Sequence, residues 1–335
     1  FLGFYIAQTL MREDYFQPDA KYVELHLNGE YQGLYLLAES IEETANRLDI
    51  EKHYQPDTAS TPFIVELDFN EGSEVTPENK DWRFTVNDIA IALPQLNLAN
   101  DATNVIYTIK YPEKFSDVPE AQAKYIKDTI NNLHENAKSG KPLNELGIDL
   151  TSFVNYFLFH EIFKTEHVGE SSTYYYSDGK TIFAGPLWDF DILFSYNLPT
   201  NFLNQSVRIE NTLYQYLLKY PEFKDALSKR FNEVYAEFNT SLRCKIQYLK
   251  DNTLLKNATA KHENLYHRNS RSDISEEWYM WNGNINAIKS VEDHLDYIQG
   301  WLLDGLYLSP YDSSGRENRH PSRLEWLKEH LSELE

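Results

Sequence analysis

Near Pro112 the hydrophobic pattern changes its period, and that change narrows the folds open to this chain. Before it, apolar and polar residues alternate. Tyr22–Leu27 and Tyr31–Leu37 flank Asn28-Gly29, the strongest short signal for a tight hairpin. Phe63–Phe69, Arg83–Ile91 and Val105–Ile109 read as further strands, set apart by clusters of Pro, Gly, Asn and Asp. After Pro112, Ala121–Ala137 and Leu150–Phe163 carry apolar residues at helical spacing, with Asp149 or Thr151 placed to cap the second. The same spacing returns over Thr212–Lys219, Glu222–Phe238, Leu242–Leu249, Val291–Leu306 and Arg323–Leu334. The pattern predicts an α+β fold with a sheet-rich portion over residues 1–112 and a helix-rich portion over 113–335. Phe1–Leu10 reads as the middle of an amphipathic helix, so further sequence is expected upstream of it.

Within the second portion, Ser171–Asp191 concentrates the chemistry. Asp178-Gly179 lies between the β-rich runs Thr173–Tyr176 and Thr181–Phe183, which predicts a tight type I′ turn leading into Trp188-Asp189-Phe190-Asp191. If Trp188–Ile192 is extended, Asp189 and Asp191 share one face, and Trp188 and Phe190 take the other. Two carboxylates a strand-step apart in apolar sequence repel each other. Desolvating one costs roughly several kcal/mol unless a cation or strong donors answer it, and a divalent metal would answer both. Capping a turn or pairing with Lys or Arg is the structural alternative.

Composition trims the list of functions. Asp and Glu outnumber Lys and Arg by 52 to 31, a net charge of −21, which argues against non-specific binding to nucleic acid or anionic membrane, since both need cationic surface. Cys244 is the only cysteine, so a thiolate zinc site and an intrachain disulfide are excluded within this sequence. No apolar run approaches the roughly 18 residues of a membrane span.

Several segments, in order, resemble the spore coat protein H (CotH) kinase family of atypical, secretion-associated protein kinases. They are Tyr22-Val23-Glu24-Leu25; Asn28-Gly29-Glu30-Tyr31-Gln32-Gly33-Leu34-Tyr35-Leu36-Leu37-Ala38-Glu39; Asn46-Arg47-Leu48-Asp49-Ile50; and Phe63-Ile64-Val65-Glu66-Leu67-Asp68. Ile109-Lys110-Tyr111-Pro112, Ile148-Asp149-Leu150-Thr151-Ser152-Phe153, and Ser172-Thr173-Tyr174 leading to Gly185-Pro186-Leu187-Trp188-Asp189-Phe190-Asp191 complete the series.

The resemblance implies an atypical protein-kinase-like fold that uses ATP with Mg²⁺ or Mn²⁺ to phosphorylate serine or threonine of a protein substrate. It places Asp191 and Asp189 at the metal-binding position and a catalytic carboxylate just after Leu150–Phe163, where the family usually has Asn-x-Asp. This chain has Lys164-Thr165-Glu166 there, keeping a carboxylate on a side chain one methylene longer. Lys110, Arg47 and Glu39 lie inside matching motifs and are the candidates for contact with the nucleotide or its lysine. The resemblance points to the cell envelope, the exterior or the spore coat. A catalytically weak member acting as a surface-binding protein is the other function it implies.

Three further features have plainer readings. The aromatic-rich run Glu276–Trp281 fits core packing better than a sugar platform. His262 and His267 are five apart rather than the four that aligns two metal ligands on a helix. The sequons at Asn204, Asn239 and Asn257 read as accidental.

Overall fold

The computed structural model of the protein describes residues 1–11, 14–50, 60–67, 82–91, 103–112, 119–165, 172–190, 207, 212–269, 291–307, 318–319 and 321–334. Helix α1 (Leu2–Met11) is followed by strands β1 (Ala20–Leu27) and β2 (Glu30–Ala38). These two form a separate antiparallel ribbon. Asn28 and Gly29 both take positive φ, 51° and 85°, as a type I′ turn requires. The ribbon leans on a distant helix: the Lys261 ammonium lies 3.1 Å from Glu24 and 3.6 Å from the Tyr31 ring centre, and the Leu34 amide donates to His262 Nδ1 at 3.0 Å. Its outer surface leaves Leu25, Leu27, Tyr35 and Leu37 exposed.

The main sheet has the order β4-β5-β3-β6-β7, formed by β3 (Phe63–Leu67), β4 (Arg83–Ile91), β5 (Thr103–Tyr111), β6 (Thr173–Ser177) and β7 (Ile182–Ala184). All of its pairings are antiparallel. The expected boundary at residue 112 therefore runs through this sheet, because β6 pairs along the whole of β3. The predicted two-residue turn at Asp178-Gly179 is longer than expected. Ser177 pairs with Ile182 and only Gly179 has positive φ. Asp178 Oδ1 closes the loop instead, accepting from the amides of Lys180 and Thr181 at 2.9 and 2.8 Å.

Alternate residues of the strands serve two faces. Phe63, Val65, Leu67, Tyr107, Ile109 and Tyr175 enter the main core, where α2 (Glu120–Lys138) and α3 (Leu150–Phe163) pack against them. The Phe153 ring stacks on Tyr175 at 5.5 Å, and Tyr107 meets His134 of α2 through a 2.9 Å hydrogen bond. Ile64, Tyr174 and Tyr176 point the other way into a second cluster with Leu48 and Ile50, bordered by Phe16, Ile41, Tyr111, Phe183 and Trp188.

α3 is apolar around its circumference and almost wholly buried, which makes it the central scaffold. Its start matches expectation: Asp149 Oδ1 accepts from the Ser152 amide at 2.7 Å, and from the Tyr15 hydroxyl at the same distance. Its polar side chains each find a neighbour. Asn155 takes Arg230 Nε at 2.8 Å, Tyr156 donates to Thr173 at 3.2 Å, and Ser152 Oγ accepts from the Ala184 amide at 3.1 Å.

Beyond α4 (Tyr214–Leu217), the helices expected over Glu222–Phe238 and Leu242–Leu249 are one helix of 31 residues, α5 (Pro221–Asp251). The Asn239-Thr240-Ser241 stretch suggested a break. It is absorbed because Thr240 Oγ1 returns to the Ala236 carbonyl and Asn239 accepts from Arg243, while the apolar stripe Val234, Phe238, Leu242 and Ile246 continues unbroken. α6 (Thr253–Asn269) was not expected, and among its described side chains only Leu255 enters the core. α7 (Val291–Gln299) passes into a widened turn over Gly300–Asp304, the two-residue strands β8 (Leu306–Tyr307) and β9 (Asn318–Arg319) pair, and α8 (Arg323–His330) closes the described chain. Among the described residues no helix is long and apolar enough to cross a membrane.

Candidate active site

After β7 the chain is held by an amide clamp. Gln17 Oε1 accepts from the Leu187 amide at 2.9 Å and its Nε2 donates to the Leu187 carbonyl at 2.6 Å, so one buried side chain fixes the backbone two residues before Asp189. Trp188 then packs against the second cluster and meets the Phe4 ring at 5.7 Å, and Phe190 meets Phe4 at 4.8 Å and Phe159 of the main core at 5.1 Å. Between them Asp189 has φ 63°, in the left-handed region. The extended run expected over Trp188–Ile192 is thereby corrected: the chain turns at Asp189, and the alternation argument does not apply there.

The environment of Asp189 is also corrected. Its side chain is exposed, and Oδ2 accepts from the Ser172 hydroxyl at 2.8 Å. Solvent and a hydroxyl therefore answer the charge that the apolar flanks suggested would be desolvated. One carboxylate and one hydroxyl are hard oxygen donors of the kind Mg²⁺ takes, and a complete set needs further ligands. Among the described residues no three His, Cys, Asp or Glu side chains gather closely enough to hold a metal ion. Asp191 and Glu166 lie outside the described residues.

Of the expected nucleotide contacts, Lys110 is the most distinctive. Its ammonium stands 2.7 Å from Glu66 Oε2, and the other carboxylate oxygen of Glu66 accepts the Tyr174 hydroxyl. Three adjacent strands thus meet at one acid. Glu66 is only 7% exposed and sits on the central strand, on the face opposite the main core. A buried carboxylate needs such partners, and here a cation and a phenol supply them. The Lys110 side chain keeps 30% of its surface exposed. The sequence reading passed over Glu66, although an acid in the middle of Phe63-Ile64-Val65-Glu66-Leu67 was the signal that could have found it.

Arg47 pairs with Glu42, and its backbone amide closes a turn on the Thr44 carbonyl at 3.0 Å. Glu39 serves its own chain: its Oε2 accepts from the Asp19 amide at 2.9 Å, and its amide donates to the Asp19 carbonyl at 3.0 Å. Leu48, the chain neighbour of Arg47, lies in the second cluster, and Tyr111 and Trp188, the neighbours of Lys110 and Asp189, pack against it. Glu39 is not joined to that group by any of these contacts.

The expected Lys164-Thr165-Glu166 motif begins at the exit of α3. Lys164 caps it with φ 52°, and the Thr165 hydroxyl pairs with His160 Nδ1 at 2.5 Å. Lys164 is 2% exposed, and its ammonium pKa is pushed down to about 7, first by burial and then by the charge of Arg323, against the opposing pull of Glu161.

These features define an α+β protein with a small, charged second face on its sheet and an acidic turn at that face's edge. The family model for CotH kinase protein matches residues 5–304, and the chain belongs to that family. No curated protein matches the chain.

Proposed function

We propose that the protein transfers the γ-phosphoryl group of ATP to a serine or threonine of a protein substrate. The observation that supports this reading is the Lys110 ammonium held 2.7 Å from the buried Glu66 carboxylate on the sheet face turned away from the core, beside a cluster that includes or borders on Leu48, Tyr111 and Trp188, the chain neighbours of Arg47, Lys110 and Asp189. Phosphoryl transfer depends on positioning and on neutralising negative charge, and an acidic chain must provide its cations locally. Lys110, oriented by Glu66, presents an ammonium to phosphate oxygens, and Arg47 offers a second cation. Asp189 and Asp191 hold Mg²⁺ or Mn²⁺, which when bound contributes charge neutralisation at the phosphates. Glu166 accepts the hydrogen of the acceptor hydroxyl and orients it. Its extra methylene moves the carboxylate by about 1 Å, a displacement that can lower the rate roughly 10²-fold.

That same departure, Lys164-Thr165-Glu166 in place of Asn-x-Asp, favours the second reading: a weak or inactive member that acts as a binding protein at the cell envelope or spore surface. A transfer assay with γ-labelled ATP and either metal separates the two. The kinase reading expects label on protein in the wild type and none in Glu166→Gln or Asp191→Asn. ATP binding without transfer would support the second reading.

A further inference from the structure

The end of α3, where the chain leaves for Glu166, is gripped from a remote segment. Arg323, the first residue of α8, donates from Nε and Nη2 to the Glu161 carbonyl at 3.1 and 2.7 Å, and from Nη2 to Glu161 Oε1 at 2.6 Å. Both side chains of this pair are fully buried. The other oxygen of the carboxylate, Oε2, accepts from the Val207 amide at 2.9 Å. Glu161 therefore ties α3 to the C-terminal helix and to the chain that follows the acidic turn.

The physical need for the clamp lies in the helix end. The last carbonyls of an α-helix have no partner within it, and positive charge is favoured there by the helix dipole. Arg323 meets both requirements at Glu161. It is itself held firmly: Ser322 caps α8 in a reciprocal capping box with Glu325, and the Trp326 ring lies 4.6 Å from the guanidinium. On the α3 side, the amides of Lys164 and Thr165 both return to the His160 carbonyl, so the path out of the helix is set just beyond the clamped residue. The match to the family model ends at residue 304, so the family pattern assigns Arg323 no role.

We infer that Arg323 is a positioning residue that acts through Glu161 to hold the exit of α3 as far as Thr165, the residue that precedes the proposed catalytic Glu166 in sequence. The inference rests on the phosphoryl-transfer reading, and its test separates the two. Arg323→Lys keeps the charge and loses the fork that reaches both the carbonyl and the carboxylate. The double variant Glu161→Met with Arg323→Met replaces the pair by apolar side chains, a change that often preserves folding.

In the full chain, Arg323→Lys should fold, bind ATP with wild-type affinity and lose at least about 10-fold in kcat with KM for ATP unchanged. The double variant should fold and remain impaired in kcat. Amide hydrogen exchange at Thr165 should quicken about 10-fold in Arg323→Lys while the middle of α3 is unchanged. Wild-type kcat in a folded Arg323→Lys, or full recovery of kcat in the double variant, would show that the clamp only stabilises. If the wild type transfers no phosphate, the phosphoryl-transfer reading fails, and unaltered Thr165 exchange in Arg323→Lys would independently overturn the clamp.

Discussion

The two faces of the five-stranded sheet are made from alternate residues of the same strands and meet very different surroundings. On one, Phe63, Val65, Tyr107 and Tyr175 pack against α2 and α3 in a continuous apolar core. On the other, Ile64, Tyr174 and Tyr176 form a small cluster, and Glu66, held by Lys110 and Tyr174, takes a position that the first face would give to an aliphatic residue. A buried ion pair seldom stabilises more than apolar packing of the same volume. Apolar stability is concentrated on the first face, and the proposed nucleotide contacts lie on the second.

The division can be broken from the core side first. Phe63→Ala should lower stability by about 3–5 kcal/mol in urea unfolding, because the ring is fully buried, while the folded protein keeps its affinity for ATP. Loss of ATP affinity without loss of stability would reverse the assignment.

Acid attacks the same face through His134. Burial lowers its pKa to about 3, below the ordinary 6.5, so the unfolded chain binds more protons between those values and stability falls as pH drops through that window. The loss should be on the order of a few kcal/mol by pH 4, and His134→Gln should flatten the acid limb of a stability-against-pH curve. Lys164 acts with the opposite geography. Its pKa of about 7 lies below the ordinary 10.5, so stability should rise as pH climbs from 7 toward 10.5, and Lys164→Met should remove that slope.

Smaller in stability, and larger in function, is the change on the second face. Lys110→Met removes the ammonium from Glu66, leaves the Tyr174 hydrogen bond, and should cost about 1–3 kcal/mol, less than the core variant because the lysine side chain is partly exposed. Its ATP affinity, followed by calorimetry, should fall at least tenfold. The smallest effect belongs to the exposed side of the β1–β2 ribbon. Leu37→Thr should shift stability by no more than about 0.5 kcal/mol, which a thermal melt will check.

What the sequence made legible was local. The Asn28-Gly29 turn, the span of α3 and its Asp149 cap all follow from residues within a few positions of one another. What it left hidden depends on register between distant segments. The partners of Glu66 became visible only when β3, β5 and β6 were aligned, since Lys110 and Tyr174 lie far from it along the chain. The Arg323–Glu161 clamp crosses 162 residues. Asp189 misled for a different reason: alternation assumes extended backbone, and a single left-handed residue removes it. α6 escaped notice because contacts such as those of Lys261 and His262 with the β1–β2 ribbon join segments more than 200 residues apart in the chain.

The central claim is that the second face of the sheet holds the nucleotide. Isothermal titration of ATP with Mg²⁺ into the wild type, Lys110→Met and the exposed helix control Lys124→Met tests it most directly. Binding that is weakened at least tenfold in Lys110→Met and unchanged in Lys124→Met is the predicted result. Equal affinity in all three proteins, with Lys110→Met shown to be folded, would contradict it.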